Sequence, residues 1–512
     1  HKSTTGGQNW ERISPDLTAF KDEYQMRSGG PITNDITGEE HFSTLYAVQV
    51  SPHDPDVIWA GANDGPIHIT RDGGDSWTEV TPPDVPPNGR VDAISPSPHQ
   101  PGTATVAIQR RLLKDFTPYI YRTTDYGETW TRVTDGIPSD SPVRTVREDP
   151  NREGLLYAGT DFGLFVSFDA GQHWQPLQRD LPNTPVTDIR IQRDNLALST
   201  MGRSFWVLDN LTPLYQMDAQ VAQADWHLFA PKEAYRMRYW GGQRGPSGPE
   251  YTDPGAVIDF TLSDTTQAPV TLDILDDEGA VVRRYVGVAG DAEARSGEAP
   301  ERGMGELPVP ASSVDTFRVH SGHNRFTWDL RYPGPTPPAE GSGPLAVPGA
   351  YQVRLAVGDA QQTRNLTLKM DPRVKETGVT RADLQEQFTF NMKLQRTIGE
   401  AETLAHTVDS VRTRVQTAQD EGKIVEARAQ SMLDRLDDLH GELVTNEEGS
   451  YQPPMLLDQL GYLSWMTGSA DQDLGTDAFA RYETLRGRLD ALQTRWEEVQ
   501  QEMELSEGGL SE

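Results

Sequence analysis

The sequence of 512 residues lacks cysteine entirely. No disulfide framework and no thiolate metal site is therefore expected. The sequence also lacks any run of about 20 apolar residues, which a membrane-spanning helix needs. Lysine is scarce, so arginine supplies most of the positive charge.

Acidic residues outnumber basic ones, with 77 Asp and Glu against 46 Lys and Arg, and the formal net charge is -31. A surface this negative repels DNA, RNA and anionic membranes. The composition therefore argues against these three partners.

Several catalytic signatures are absent as well. The sequence has no Gly-Lys-Ser/Thr phosphate loop and no Gly-x-Ser-x-Gly elbow. His68, His173 and His227 have no second histidine at metal-ligand spacing. We expect no metal ion and no cofactor, and no residue is predicted to be catalytic.

One short pattern occurs three times in the first third of the chain. Each copy reads Ser/Thr-x-Asp-x-Gly-x-x-Trp, and the copies run from Thr70 to Trp77, from Thr123 to Trp130 and from Ser167 to Trp174. A fourth copy, from Ser3 to Trp10, has Thr5 in place of the aspartate. Recurrence of one unit predicts a repeat fold.

The residue types in this pattern suit a tight turn. A short carboxylate accepts hydrogen bonds from nearby backbone N–H groups, glycine adopts a positive φ, and tryptophan packs against the neighbouring unit. We therefore predict structural rather than catalytic roles for nine residues: Asp72, Gly74, Trp77, Asp125, Gly127, Trp130, Asp169, Gly171 and Trp174.

The pattern resembles the Asp-box, or bacterial neuraminidase (BNR) repeat, which lies on the turn between the outer strands of a β-propeller blade. Short β-rich runs separated by turn residues surround each copy, as antiparallel strands require. Together they predict the C-terminal blades of a β-propeller over residues 1–210, with about three complete blades and two partial ones.

So few blades leave strand edges and apolar faces uncovered, which invites aggregation. His1 follows no Met, and the first residues already belong to a blade. We expect the chain to be part of a longer protein, in which the N-terminal part of the parent, or another subunit, completes the propeller.

The pattern changes after a predicted connector at 211–234. Six runs that alternate polar and apolar residues predict a β-sandwich of immunoglobulin or fibronectin type over 235–375. The runs are Ala256 to Leu262, Val270 to Leu275, Val281 to Tyr285, Asn324 to Leu330, Tyr351 to Leu355 and Asn365 to Lys369.

Helical periodicity begins after the sandwich. Thr380-Arg-Ala-Asp383 is a helix start signal, and long amphipathic segments joined by short connections follow it. This predicts an antiparallel α-helical bundle over 376–505 and a short tail at 506–512.

The order of these parts resembles a family of exported bacterial proteins with Asp-box propellers related to the sortilin ectodomain, often labelled glycosyl hydrolase. The resemblance covers nearly the whole chain, and its motifs include Gly30-Pro-Ile-Thr33, Met201 to Asp209, Arg325 to Pro333 and Lys369 to Arg373. It implies a secreted, cell-surface or periplasmic protein but no known reaction. Relatives tend to have Thr-His-Gly-Arg where this chain has Thr200-Met201-Gly202-Arg203, so a role of that histidine is absent here.

Charged residues of the predicted blades are the remaining candidates for chemistry. They are Asp64, Arg110, Arg111, Arg144, Arg147, Asp161, Arg190, Arg203 and Asp209. Sequence spacing brings none of them together. Arg203 and Asp209 are speculative binding residues, and a closing ion pair or turn contact is the alternative interpretation for them.

Two functions stay open. The first is a non-catalytic binding or scaffold protein that recognises a protein or a glycan through its propeller. The alternative is a sialidase-like or xyloglucanase-like glycoside hydrolase whose acids lie mainly on blades outside this chain. A hydrolase requires two carboxylates that face each other at roughly 5 to 10 Å.

Overall fold

A computed structural model describes residues 1–26, 42–238, 254–263, 268–290, 315–334, 343–445 and 452–507, together with residues 29 and 33. Residues 30–32 of one resemblance motif and the end of the predicted tail, 508–512, lie outside the described residues. The chain divides into two compact units, His1–Tyr215 and Gln216–Glu512. No helix in the described ranges has both the length and the apolar character of a bilayer span.

The first unit consists of consecutive antiparallel sheets in which each strand pairs with the next one in sequence. Three sheets have four strands and the last has three. The strands are β1 (Leu45–Val50), β2 (Ile58–Ala62), β3 (Ile67–Thr70) and β4 (Thr78–Glu79); β5 (Arg90–Pro96), β6 (Ala104–Gln109), β7 (Tyr119–Thr123) and β8 (Thr131–Arg132); β9 (Val143–Glu148), β10 (Leu156–Thr160), β11 (Gly163–Ser167) and β12 (Gln175–Pro176); and β13 (Val186–Gln192), β14 (Asn195–Thr200) and β15 (Phe205–Leu208).

Successive sheets pack face to face, with an apolar core between each pair. Trp59, Ile120 and Tyr157 are buried in the first, second and third of these cores. The first strands of neighbouring sheets, β1 with β5, β5 with β9 and β9 with β13, contact one another. Four consecutive sheets stacked in this way form a partial β-propeller. The prediction of a partial propeller is therefore confirmed.

Each complete repeat forms the turn between the third and fourth strands of its sheet. In the second copy the Thr123 hydroxyl donates to Asp125 Oδ1 at 2.7 Å and accepts the Gly127 N–H at 3.0 Å. Asp125 Oδ1 also accepts the Thr129 N–H at 2.9 Å. The first and third copies make the same three bonds through Thr70, Asp72, Gly74 and Ser76 and through Ser167, Asp169, Gly171 and His173.

The copy without an aspartate makes a related turn. The Ser3 hydroxyl oxygen accepts the Gly7 N–H at 2.8 Å, and the Thr5 hydroxyl oxygen accepts the Asn9 N–H at 2.9 Å. The hydroxyl of Thr5 thus replaces one carboxylate acceptor, and the turn does not need the charge.

The repeat tryptophans connect one sheet to the next. The indole Nε1 of Trp130 donates to the Val80 carbonyl at 2.7 Å, and Val80 is the third residue after Trp77. The same relation recurs in the other copies: Trp77 donates to Ile13, three residues after Trp10, and Trp174 donates to Val133, three residues after Trp130. Each tryptophan therefore fixes its sheet against the backbone that follows the preceding repeat.

Glycine is required at the fifth position of the repeat for two reasons. Gly127 has φ 89°, which favours glycine, and a Cβ there would lie 2.7 Å from Val80 Cβ of the preceding sheet. A side chain at this position would force the two sheets apart.

In the second unit, two sheets share one apolar core. One sheet has the order β16-β18-β22 and the other has the order β17-β24-β23-β19-β20-β21. The strands are β16 (Trp226–Leu228), β17 (Ala234–Arg236), β18 (Ala256–Leu262), β19 (Val270–Leu275), β20 (Val281–Ala289), β21 (Asp315–Val319), β22 (Gly322–Trp328), β23 (Gly349–Val357) and β24 (Ala360–Met370). The assignment to the immunoglobulin or fibronectin type stays a prediction.

The stretch predicted as a connector, 211–234, contains regular structure. It holds the short helices α1 (Thr212–Gln216) and α2 (Ala219–Gln223), and also β16, which pairs with β18. Leu211 is buried against the last sheet of the first unit, where α1 follows β15.

The described part of the second unit contains five further helices: α3 (Pro372–Glu376), α4 (Arg381–Asp420), α5 (Glu426–Leu443), α6 (Leu456–Gly468) and α7 (Thr476–Glu507). α4 begins at the predicted signal, because the side chains of Thr380 and Asp383 each accept a backbone N–H of the other in a capping box. α4 to α7 share one core, which includes Leu394, Leu436 and Leu489. Their classification as an antiparallel bundle stays a prediction.

The indole bonds between sheets predict a measurable stability loss. In Trp130→Phe the Val80 carbonyl loses its donor, and we expect the free energy of unfolding to fall by about 1 kcal/mol. Trp10→Phe is the matched control, because the exposed Trp10 ring donates only to Gly7 of its own turn. Urea unfolding measures both variants. An equal loss in the two variants, or none in W130F, contradicts the connecting role.

The repeat aspartates predict an acid dependence. Hydrogen bonds from Thr129, and then from Thr123, lower the pKa of Asp125 from 3.8 to about 2. A carboxylate with a depressed folded pKa stabilises the fold above its unfolded pKa, and this contribution is lost as the pH falls through the folded value. The urea concentration at the unfolding midpoint should therefore fall as the pH is lowered from about 4 to about 2. It should fall less steeply in Asp125→Asn. Asp140→Asn, at an exposed position, should keep the wild-type slope, and an equal slope in D125N would refute the prediction.

Candidate functional site

The hairpins of the first unit fall into two groups. In an antiparallel meander, successive turns alternate between the two ends of a sheet. The repeat turns therefore lie at one end of the sheets, and the hairpins between second and third strands lie at the other. We call this second group the hairpin end; it comprises loops 63–66, 110–118, 161–162 and 201–204.

Asp161 is the centre of the charged groups at the hairpin end. Arg144, near the start of β9, forms an ion pair with it, and the two side chains are only 6% and 8% exposed. Arg111, from the hairpin of the neighbouring sheet, has its Nε 3.6 Å from the other Asp161 oxygen. The stacking of the sheets thus brings three of the candidate residues together.

Two further charged residues join them that sequence reasoning missed. Arg90 forms an ion pair with Asp92, and its Nη2 donates to Asp92 Oδ2 at 3.1 Å and to Gln109 Oε1 at 3.2 Å. Residues two apart on a regular strand share a face, but the register of β5 shifts between Val91 and Ala93, so the sequence pattern gave no clear signal. We call Arg90, Asp92, Gln109, Arg111, Arg144 and Asp161 the Arg–Asp cluster.

Burial changes the acidity within the cluster. It raises the pKa of Asp92, against the effect of the hydrogen bond and charge of Arg90. The positive charge of Arg144 opposes the rise as well, and the negative charge of Asp161 adds to it. Asp92 therefore holds a proton more readily than an exposed aspartate does.

The cluster also contains hydrogen-bond donors without acceptors among the described residues. They are the buried atoms Gln109 Nε2 and Arg144 Nη2, and also the buried Arg111 Nε, which lies 3.6 Å from Asp161, beyond hydrogen-bond distance. A buried donor without a partner costs about 1 to 3 kcal/mol. An acceptor oxygen that reaches these atoms, from water or from a ligand, would therefore be stabilised here.

Exposed apolar side chains border this cluster. Phe162, directly after Asp161, is 50% exposed, and Leu112, directly after Arg111, is 79% exposed. Phe116 in the same loop as Leu112 is also exposed. The hairpin end therefore combines buried hydrogen-bond donors with an apolar rim.

Arg147 and Arg190 belong to a different group. The Arg147 guanidinium donates to the carbonyls of Ile94 and Ile189 at 3.2 Å each and pairs with Asp188 at 3.2 Å. Arg190 Nε lies 3.4 Å from the other Asp188 oxygen. Arg147 thus connects the first strands of three sheets, which is a structural role.

Arg110 and Asp64 hold loops in place. Arg110 Nε donates to Asp115 at 2.8 Å, and Asp64 accepts the N–H groups of Ala19 and Phe20 at 3.0 and 3.2 Å. Burial opposes ionisation of Asp115, but its hydrogen bonds, first that from Arg110, lower its pKa to about 2.

The structure does not bring Arg203 and Asp209 together. Arg203 lies before β15, in the hairpin end, and Asp209 follows β15 at the other end of the strand. The Arg203 carbonyl accepts the Trp206 indole N–H at 2.9 Å. A binding role for either residue stays a prediction.

Within the ranges that the structure describes, no three His, Asp or Glu side chains gather in a way that would hold a metal ion.

No family model matches the chain. Among curated proteins, it is similar to a probable oligoxyloglucan-reducing end-specific xyloglucanase of Neosartorya fischeri, with 26% identity over 252 residues, 43% of this chain and 30% of that protein. It is also similar to the oligoxyloglucan-reducing end-specific xyloglucanase of Emericella nidulans, with 31% identity over 109 residues, 20% of this chain and 13% of that protein. The chain thus covers less than a third of either relative.

Three solved structures are also similar. An ancestral GH74 enzyme has 18% identity over 48% of this chain and 33% of its own, with a TM-score of 0.28. The GH74 xyloglucanase from Xanthomonas campestris has 13% identity over 60% and 47%, with a TM-score of 0.25, and YCF48 from Cyanidioschyzon merolae has 22% identity over 32% and 52%, with a TM-score of 0.26. At these TM-scores the similarities do not support a fold assignment, which depends instead on the observed sheets.

Proposed function

We propose that the first unit binds a glycan at the hairpin end without cleaving it. The proposal is supported by three features of the Arg–Asp cluster and its surroundings: unpartnered donors, an apolar rim and the pairing of the central carboxylate. The names of the curated relatives suggest the kind of glycan, a xyloglucan oligosaccharide.

One observation carries the non-catalytic part of the proposal. Both oxygens of Asp161 face guanidinium groups, those of Arg144 and Arg111. A carboxylate whose two oxygens both face guanidinium groups is a poor nucleophile, because its lone pairs are directed at the arginines. Asp161 therefore positions the two arginines.

The glycan part follows from the chemistry of sugars. Sugar hydroxyl oxygens accept hydrogen bonds, and the donors of Gln109, Arg111 and Arg144 lack acceptors among the described residues. The apolar faces of sugar rings pack on aromatic side chains, and Phe162 and Phe116 are exposed beside these donors.

A second candidate function is glycoside hydrolysis, and the raised pKa of Asp92 favours it. A general acid in a glycosidase needs such a shift. Asp92 would be the proton donor after it leaves its ion pair with Arg90, and a carboxylate of the polypeptide that completes the propeller would be its partner. This is the hydrolase alternative of the sequence analysis.

We also propose a partner of the first unit, as the sequence analysis expects: further β-sheets, from the N-terminal part of the parent or another subunit. Tyr46, Val48 and Val50 of β1 and Phe205 and Val207 of β15 are all exposed, on the first and last sheets of the series. Apolar side chains at these positions suit contact with another sheet. The relation to the sortilin family and an extracellular or periplasmic location are proposed from the resemblance alone.

The binding surface predicts the effect of one substitution. Phe162→Ala removes an exposed ring at the hairpin end, and we expect binding of a xyloglucan heptasaccharide to weaken at least tenfold, since about 1.4 kcal/mol corresponds to a factor of ten. Phe205→Ala removes an even more exposed ring, 81% exposed, on the last sheet and should bind as the wild type does. Isothermal titration calorimetry measures both. Absence of wild-type binding, or equal affinities in F162A and wild type, would refute glycan binding at the hairpin end.

Hydrolysis is tested separately with the same oligosaccharide. We expect the wild-type chain to release no new reducing ends, because the carboxylate at the centre of the cluster is paired with arginines. If the wild type does cleave, and Asp92→Asn lowers the rate about 100-fold or more, the hydrolase candidate replaces the binding proposal.

A further inference from the structure

We propose that the second unit contains a separate site for a saccharide that carries a carboxylate. The site is a cavity of about 750 Å³ between the sheets and the helices of this unit, which we call the arginine cavity. The lining residues that would contact the saccharide are Arg238, Arg331, Phe388, Gln395, Ser464 and Trp465. This inference does not rest on the function proposed for the first unit.

One lining residue of the arginine cavity, Arg236, forms a buried ion pair. Arg236 and Asp471 are 3% and 1% exposed, and Arg236 Nη2 lies 2.9 Å from Asp471 Oδ1. Arg236 also donates to the carbonyls of Leu345 and Ala346, at 3.1 and 2.9 Å, and to the Gln387 side chain. Each nitrogen of Arg236 is thus engaged, so this residue fixes the cavity and leaves binding to its neighbours.

Two other guanidinium groups keep donors for a ligand. Arg238 donates Nε to Asp471 at 2.7 Å and Nη1 to the Gly468 carbonyl, while its Nη2 meets no acceptor among the described residues. Arg331 donates Nη1 to the Gly343 carbonyl at 2.9 Å, and its Nε and Nη2 likewise meet none in the described ranges. Guanidinium nitrogens bind a planar carboxylate well.

Among the described lining residues, arginines outnumber carboxylates. Asp471, next to the lining, is shared between Arg236 and Arg238, and the acidic lining residue Asp329 pairs with Arg283 at 3.1 Å. Burial, and then the charge of Arg238, lower the pKa of Arg331. An anion beside Arg331 and Arg238 would offset this repulsion, although the chain as a whole carries a net charge of -31.

The rest of the lining suits a sugar rather than a bare anion. Gln395 Nε2 donates to the Ser464 hydroxyl at 3.1 Å, and both side chains offer groups that bond sugar hydroxyls. Trp465 is 63% exposed, and Phe388 also lines the cavity. Aromatic faces bind the apolar faces of sugar rings, and the volume lies within the usual range for small-ligand sites.

The experiment titrates the full chain with digalacturonic acid, which carries two carboxylates, and with cellobiose, a neutral disaccharide. We expect digalacturonate to bind at least ten times more tightly than cellobiose, and 0.5 M NaCl to weaken the former. Equal affinities for the two disaccharides, or no binding of digalacturonate at millimolar concentration, would overturn the proposal.

Variants assign the binding to the arginine cavity. Arg331→Gln should weaken digalacturonate binding at least tenfold, and Arg428→Gln, at an exposed position on α5, is the matched control and should not. Trp465→Ala removes an exposed ring, so it provides a second test if R331Q fails to fold. Wild-type affinity in R331Q or in W465A would show that the binding lies elsewhere and would overturn the site.

Discussion

The hydrogen bond from a repeat tryptophan to a backbone carbonyl of the preceding sheet is the constraint on which the first unit depends. Trp130 reaches the Val80 carbonyl, and the other two tryptophans reach equivalent positions. The bond forms only if the turn places the indole correctly, which the aspartate or threonine acceptors of the turn ensure. Glycine allows the close approach, because a Cβ on Gly127 would collide with Val80. The hydrogen bonds of the turn, the spacing between sheets and the stacking of the sheets therefore depend on one another.

The loops at the hairpin end, opposite the repeat turns, take no part in these tryptophan hydrogen bonds. Hairpins that do not carry the stacking tolerate changes in length and composition, as loops on a rigid scaffold usually do. The loop at 110–118 and the short turn at 161–162 differ in this way, yet the stacked sheets bring Arg111 and Asp161 together. Structural residues thus gather at the end with the repeat turns, and the Arg–Asp cluster lies at the hairpin end. The separation explains why the repeat aspartates and the Arg–Asp cluster have different roles.

The second unit uses a buried charge for a similar purpose. Arg236 on β17 and Asp471 after α6 are 235 positions apart, and their ion pair is almost completely buried. Buried ion pairs add little net stability, but removal of one partner leaves an uncompensated buried charge, which is costly. Here the pair holds sheet and helix segments in one arrangement, and Arg238 and Arg331 are presented beside it. The ion pair that holds these segments therefore also fixes the surroundings of the candidate binding site.

The sequence by itself determined the features that depend on neighbours in the chain. The alternating runs from Ala256 to Leu262 and from Val270 to Leu275 have the bounds of β18 and β19, and the signal at Thr380 and Asp383 begins α4. The three-residue strands β16 and β17 were missed, because they are too short to show a period. The joining of Arg144, Arg111 and Asp161, and of Arg236 with Asp471, was decided by the tertiary structure alone. Local patterns report hydrogen bonds and burial within a few residues, whereas ion pairs between distant segments depend on how sheets and helices pack.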